Sequence, residues 1–441
     1  MANKRVDGKK SEIAFRGGFV TDKNLFMYDL AIVAIFKDEG KYLKEWLDYH
    51  LLAGVEHFYL YNNDSTDNYI EVLSPYVEAN LVTLKNFSGK MMQSPAYDDA
   101  IENYRFDCRY MAFIDLDEFI FPKTNQSISA VADEILLHNP NAAALGVNWQ
   151  CFGSNGQETT DYSRGVLERF TRRAPIDWVV ILSEEEMIGN VTIKSLVNPR
   201  RVHCWWSPHY ANYFRDFYSL NSNGAKTLYV SSYPIAADKI VINHYNAKSR
   251  EEFAFKVNRG SAWRPSNHRK MAMFDDFDRN EIFDDGILKY RAARAEKFFL
   301  ESDVERFRRA ENALIETLTQ CSPFNAPPEF FIGKLEIFLT CRALAEKLGI
   351  KIGNKTAEEY ALVWLHKILN SENILTYGEL QLFVDTLPEI LRRPFPLVKK
   401  ILQVFSEIIL PTMSDATNSF QMYKDYKNLQ YLQRLLSSIK R

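Results

Sequence analysis

The chain has 441 residues, 46% of them hydrophobic and 25% charged, with a formal net charge of −3. That length exceeds one ordinary core, so two domains are expected, and the near-neutral balance supplies no basic footprint for nucleic acid. Five cysteines (Cys108, Cys151, Cys204, Cys321 and Cys341) stand far apart with no C-x-x-C pair, which argues against a zinc ribbon or disulfide framework and fits a reducing compartment.

Residues Met1 to Lys10 are polar and basic with no apolar run behind them, so neither a signal peptide nor a membrane anchor is expected. No segment approaches the roughly 20 apolar residues of a spanning helix, and a cytoplasmic location is the expectation. Residues 1–28 read as an N-terminal arm. The run Leu30 to Phe36 is continuous, apolar and of strand length, suited to a central parallel strand. Lys37-Asp38-Glu39-Gly40 breaks it. Leu43, Trp46, Leu47, Tyr49, His50 and Leu51 then suit an amphipathic helix stopped by Gly54. His57 to Tyr61 is a second strand, completing a βαβ unit with parallel strands. Behind it Asn62-Asn63-Asp64-Ser65-Thr66-Asp67 gathers turn formers beyond a strand's carboxyl end, where open α/β sheets bind ligands. Asp64 there can accept bonds from a base edge or a ribose hydroxyl, while Ser65 or Asp67 can cap the helix running to Tyr76. A third strand, Leu81 to Leu84, and a helix from Ser94 to Phe106 follow, which makes a nucleotide-binding α/β layer the economical reading.

The next stretch carries the chemistry. Met111 to Ile114 is a short apolar strand that ends in Asp115, Asp117 and Glu118. Carboxylates at the mouth of a buried strand repel one another and cost desolvation energy unless a cation joins them. Their oxygens suit Mg²⁺ or Mn²⁺, which in turn suits a phosphate-bearing substrate. Asp276-Phe277-Asp278 repeats the D-x-D spacing without the strand before it or the Glu-Phe after it, and serves as a decoy.

Further on, Ala144 to Trp149 reads as a strand, and the turn Gly153-Ser154-Asn155-Gly156 lets backbone approach a ligand closely. The segment from Lys194 to Tyr210 mixes bases and aromatics. Trp205, Trp206 and Tyr210 can stack on sugar rings while Lys194 and Arg200 neutralise phosphate; a basic loop over an aromatic mini-core is the alternative. His203 and His209 are not a helical metal pair, since Pro208 breaks any helix there. Lys239 to Asn243 is a strand, which places His244 at a strand end. Lys248 precedes a capping box, Ser249-x-x-Glu252, and a helix N-terminus beside a lysine suits a diphosphate.

From about Asp284 helix follows helix: Ile287–Phe299, Val304–Leu318, Phe331–Leu348, Ala357–Leu369, Glu379–Leu391, Leu397–Leu410 and Tyr423–Ile439. The stretch Arg392 to Leu402, basic and apolar together, is either a peripheral membrane contact at the inner face or a packed helix with a solvated edge.

Several of these stretches together resemble glycosyltransferases of family 92 and their bacterial family-2-like relatives. They are Ala34 to Glu39, Glu45 to His50, Phe58 to Asp67, Ala112 to Phe119, Trp149 to Gly156, and Ile242 to Tyr245 with Lys248-Ser249. The resemblance runs from about residue 30 to 262 and implies a GT-A fold, Rossmann-like with a mostly parallel sheet, over residues 29–283. Residues 284–441 form a helical C-terminal domain outside it. It further implies a nucleotide-sugar donor (a UDP-sugar), Mn²⁺ or Mg²⁺, and inverting transfer to a glycan or lipid-linked acceptor, as in polysaccharide biosynthesis. Residue by residue it implies Asp115 and Asp117 as metal ligands, with His244 as a late metal or diphosphate ligand. Asp38, Asp64, Asp115, Lys194 and Lys248 fall on the nucleotide-sugar, and Glu158 or Asp161 serves as the base, with Asp177 a weaker candidate. Two other readings stay open: a nucleotidyl- or phosphoryltransferase using the same acids, without the G-x-x-x-x-G-K phosphate loop, and a carbohydrate-binding scaffold whose transferase site has decayed.

Overall fold

The computed structural model describes residues 23–139, 141–181, 187–214, 217–264, 270–297, 301–320 and 335–349. Nine strands build one mixed sheet: β1 (Tyr28–Phe36), β2 (His57–Asn62), β3 (Val82–Asn86), β4 (Cys108–Phe113), β5 (Glu118–Pro122), β6 (Ala142–Cys151), β7 (Ile193–Val197), β8 (Tyr218–Leu220) and β9 (Ile240–His244). Their order is β3-β2-β1-β4-β7-β6-β9-β5, with β8 beside the first half of β6 on the edge whose second half pairs with β9. The first four strands are parallel; β7 runs antiparallel to both β4 and β6, and β5 antiparallel to β9. The Rossmann-like α/β architecture expected for this region is therefore present. The chain leaves β1 in one direction to β2 and returns on its other side as β4, which makes the carboxyl ends of β1 and β4 a topological switch point, the place where open α/β sheets bind ligands.

The sheet is two-faced because side chains alternate along each strand. Leu30, Ile32, Ala34 and Phe36 of β1, with Tyr110 and Ala112 of β4, join one core with the helices α1 (Gly40–Leu52), α2 (Tyr69–Glu78) and α4 (Ile128–Leu136). Ala31, Val33 and Ile35, with Met111 and Phe113, join the other, beneath α3 (Gln93–Tyr104). Helix α1 forms where the spacing of Leu43, Trp46, Leu47, His50 and Leu51 predicts it, and all five are buried. It also fixes the strand after the acidic cluster. Trp46 Nε1 donates to Glu118 O at 2.8 Å and Tyr49 Oη to Ile120 O at 2.9 Å.

Two differences from expectation appear at the ends. Leu25, Phe26, Met27 and Tyr28, placed in the arm by sequence, are buried in the second core. Helices α6 (Gly286–Ala295), α7 (Asp303–Gln320) and α8 (Leu335–Leu348) pack against the sheet layer: Ile287 and Tyr290 in the first core, Ala310, Leu314, Cys341 and Leu344 in the second. Residues 1–22, the four helices expected between 357 and 439, and the basic stretch 392–402 lie outside the described residues. Among the described residues no helix is long and apolar enough to cross a membrane.

Candidate active site

Four loops meet at the carboxyl ends of β1 to β4. Asp38 follows β1 and Asp64 follows β2, both with left-handed backbone (φ 49° and 59°), a conformation Asp tolerates better than most residues. Asp38 Oδ1 accepts from Thr66 N at 2.7 Å, and Asp38 N donates to Ser65 Oγ at 2.9 Å. Asp64 accepts from Gly89 N at 3.2 Å, and its bonds from Ser88 and Gly89 hold its carboxyl below the usual range. Asp67 does not cap α2 as expected; its Oδ2 accepts from Gly40 N at the start of α1, at 2.6 Å. The cluster read as turn formers is thus a seam that stitches three loops together.

At the end of β4 the acids separate into two environments. Asp115 accepts from Lys194 Nζ at 2.8 Å and from Gln93 Nε2 at 2.7 Å. Burial alone would raise its carboxyl, and the Lys194 ammonium outweighs that and holds it low. Glu118 is fully buried; its Oε2 accepts from Asp115 N at 2.9 Å and lies 3.5 Å from Lys194 Nζ, while Oε1 is buried without a partner. Burial, helped by the neighbouring Asp115 and Asp117, pushes Glu118 up to about 8 against the pull of Lys194. Lys194 has no side-chain exposure. It lies beneath the cluster, held by Asp115 and near Glu118.

Asp117 takes Lys256 Nζ on Oδ2, and its Oδ1 stands 3.8 Å from His244 Nε2. Burial opposes ionisation, but the ammonium groups of Lys256 and Lys248 hold its carboxyl well below the usual range. Sheet register explains the pairing: His244 ends β9 opposite Glu118, and Tyr245 N donates to Asp117 O at 2.8 Å. His244 is packed on Trp149 (ring centroids 4.1 Å apart), and burial pushes it down to about 3, so its imidazole is neutral. Lys256 projects from α5 (Arg250–Arg259), also donating to Asn246 Oδ1 at 2.6 Å. Sequence reasoning missed it. Its signal was present, however: Glu252, Lys256 and Arg259 recur at i, i+4 and i+7, a charged stripe at the spacing that faces a core.

Toward a divalent cation the described residues offer one pair, with Asp117 Oδ2 already engaged by Lys256. Asp117 Oδ1 and the neutral His244 Nε2 converge as a carboxylate–imidazole pair, while Asp115 is engaged by Lys194 and Gln93. Among the described residues no group of three or more His, Cys, Asp and Glu side chains stands in metal-holding geometry. Mg²⁺ and Mn²⁺ sites often use one or two protein ligands and leave the rest to water and substrate phosphate.

Other expected residues are differently employed. Lys248 (φ 51°) places its ammonium 4.5 Å from the Tyr42 ring centroid. The expected capping box forms, so Ser249 and Glu252 already occupy the end of α5 proposed for an anion. Glu158 is exposed and pairs with Arg250 at 3.2 Å, and Asp161 accepts from Ser163 N at 3.0 Å. Arg250 begins α5 and Lys256 lies six residues on, so Glu158 is held about 9 Å along the helix axis from the residue that meets Asp117. Arg200 is fully buried, donating to the carbonyls of Arg105, Cys108 and Arg109, and Trp205 is core against Phe113; neither faces a phosphate or a sugar. The close approach at Gly153 is to protein, since a Cβ there would lie 2.4 Å from Arg279 O. In the decoy, Asp278 accepts from Ser154 N at 2.6 Å and Asp276 is exposed.

A sequence profile described as Glycosyltransferase family 92 matches residues 33–287, more than half of the chain. A family 92 protein of Oryza sativa subsp. japonica is 26% identical over 52% of this chain and 35% of its own length. One from Ricinus communis is 26% identical over 33% of this chain and 26% of its own. The chain thus spans about a third or less of the length of these relatives. A galactan beta-1,4-galactosyltransferase of Arabidopsis thaliana is 34% identical over 20% of this chain and 19% of its own length. Among solved structures, S. aureus TarS 1–349 aligns with a TM-score of 0.28 and 13% identity over 76% of this chain and 90% of its own.

Proposed function

The chain belongs to glycosyltransferase family 92, and from that premise we propose that it moves a hexosyl group, with inversion, from a UDP-sugar to a hydroxyl of a glycan or lipid-linked acceptor. The observation that carries this reading is the acidic end of β4, set at the switch point between β1 and β4 and faced by the buried ammonium groups of Lys194 and Lys256. Asp38 and Asp64 border the nucleotide side, within reach of a ribose or base edge. Asp117 and His244 would hold Mn²⁺ or Mg²⁺. Such an ion, when bound, offsets the charge that grows on the departing diphosphate. The acceptor oxygen bonds to the anomeric carbon as the sugar–phosphate bond breaks, and Glu158 or Asp161 takes the hydroxyl proton. The galactan beta-1,4-galactosyltransferases of Arabidopsis thaliana favour galactose as the sugar and a β-1,4-galactan as the acceptor.

Thermal shift with UDP-galactose, other nucleotide sugars and UDP, each with Mn²⁺ or chelator, tests the proposal. A ligand at 100 times its Kd stabilises by about 2.7 kcal/mol. A shift with a UDP compound that needs Mn²⁺ supports the reading; none with any nucleotide sugar defeats it.

A further inference from the structure

We infer that Lys41, Tyr162 and Phe255 form the acceptor platform, a surface that takes a neutral hexopyranose chain. This rests on the transferase reading above. Most aromatic side chains of the sheet layer are buried, yet Tyr162 is 54% and Phe255 45% exposed. The two are gathered around one cation. Lys41 Nζ lies 4.3 Å from the Phe255 ring centroid and 4.8 Å from that of Tyr162, and donates to Tyr162 Oη at 2.7 Å.

Three separate segments bring them together, and each leads to the cleft. Lys41 opens α1, directly after the loop carrying Asp38. Phe255 precedes Lys256 on α5, so the helix turns one residue inward to Asp117 and its neighbour outward to the rim. Tyr162 follows Asp161 on the loop that holds both candidate bases. That loop is tied to α5, since Thr160 Oγ1 hydrogen-bonds Ser249 Oγ at 2.9 Å and Thr160 N donates to Glu251 Oε2 at 2.8 Å. A pyranose ring offers an apolar C–H face and a rim of hydroxyls. Aromatic faces beside an ammonium, which carries three donors, match both. Because the cation–π contacts hold Lys41 in place, little side-chain freedom remains to be lost on binding.

The test is calorimetric titration of β-1,4-linked galactotetraose into the full chain saturated with UDP and Mn²⁺, for the parent, Phe255→Ala, Phe255→Trp, Tyr162→Ala and Lys41→Met. Saturable binding to the parent is expected. Loss should be roughly tenfold or more in Phe255→Ala and Tyr162→Ala, with retention in Phe255→Trp and UDP affinity within about twofold throughout. Retention by tryptophan separates a stacking surface from a merely structural ring. If the parent binds UDP but not the tetraose, or if both alanine variants bind it like the parent, the platform assignment is overturned. If the parent binds no UDP, the transferase reading fails and takes this inference with it.

Discussion

Replacing Lys194 with Met separates a structural cation from a ligand contact. The Lys194 side chain is wholly buried, 2.8 Å from Asp115 and 3.5 Å from Glu118. At an effective dielectric of about 20, a pair at the shorter distance is worth about 6 kcal/mol before desolvation. Asp115 keeps 35% side-chain exposure, so solvent screens part of that. Removing one partner of a buried pair usually costs about 3–5 kcal/mol, because the other charge is stranded. Methionine matches lysine in length, so packing is largely kept. At about 2–4 °C per kcal/mol for a large domain, the melting temperature should fall by roughly 6–20 °C. Without the ammonium, Asp115 loses the partner that holds its carboxyl low and rises, and Glu118, already at about 8 in the parent, rises further. The variant then gains protons on folding, and its deficit should shrink as pH falls from 8 toward 5. Differential scanning calorimetry across that range, with UDP titrations beside it, reads both effects. Should Lys194→Met melt within a degree or two of the parent and yet lose UDP binding, the lysine contacts phosphate and the structural argument is wrong.

The remaining predictions address the site piece by piece. Asp117→Asn should abolish Mn²⁺-dependent UDP binding and lower transfer on the order of a thousandfold, whereas Asp276→Asn at the decoy should be near neutral; equal losses would misplace the metal. His244→Ala should weaken UDP binding in Mn²⁺ but not in chelator, and parental binding in Mn²⁺ would make the histidine structural. Glu158→Gln should lower turnover by about 10² to 10⁴ while sparing UDP affinity; unchanged turnover transfers the base role to Asp161. Glu252 is pushed up by burial but held at about 2 by Arg169 and Ser249. A depressed carboxyl gives stability that is present above its unfolded value, near 4.5, and lost as pH falls toward 2. The deficit of Glu252→Gln in melting scans should therefore shrink over that window, and a constant deficit would contradict the network.

The first half of the sheet was legible because β1, β2 and β4 are buried along nearly their whole length, so each is an apolar run closed by turn formers or acids. The charge at Asp115 and Asp117 was legible for the same reason, standing out against the strand before it. The second half was legible only in part: Ala144 to Trp149 and Lys239 to Asn243 read as strands and lie in β6 and β9, but β7 and β8 went unread. In β7 the run is broken by Lys194 and Ser195, so Ile193–Val197 read as part of a basic segment; polarity that looked like a loop is the site's own lining. Arg200 and Trp205 misled in the opposite direction, since a base and an aromatic near a presumed donor look like ligand contacts. Arg200 instead satisfies three backbone carbonyls, and Trp205 packs on Phe113. Nothing local in sequence distinguishes a guanidinium facing carbonyls from one facing phosphate. Asp67 shows the same limit: its chemistry as a helix cap was readable, but the helix it caps comes 27 residues earlier.

The cations of the site have a consequence for assembly. Asp115 and Asp117 stand two residues apart, yet Lys194 lies 79 residues beyond the first and Lys256 139 beyond the second. Each comes from an element far along the chain: β7, which lies between β4 and β6, and α5, which follows β9. Without those cations, two aspartates and Glu118 would crowd the end of an apolar strand, where carboxylates stay wet or take up protons. Burial of the strand end and arrival of the lysines are therefore one event energetically. Helix α5 is fastened at both ends to the site it completes, through Arg259 to Glu39 and the carbonyl of Lys37, and through Ser249 to the loop of Glu158 and Asp161. A change that loosened α5 would strip the charge partner from Asp117, shift Phe255 from the rim, and release the candidate bases together. On the assignments proposed above, donor and acceptor sides share a single helix, which would give a physical route by which occupancy of one alters the other.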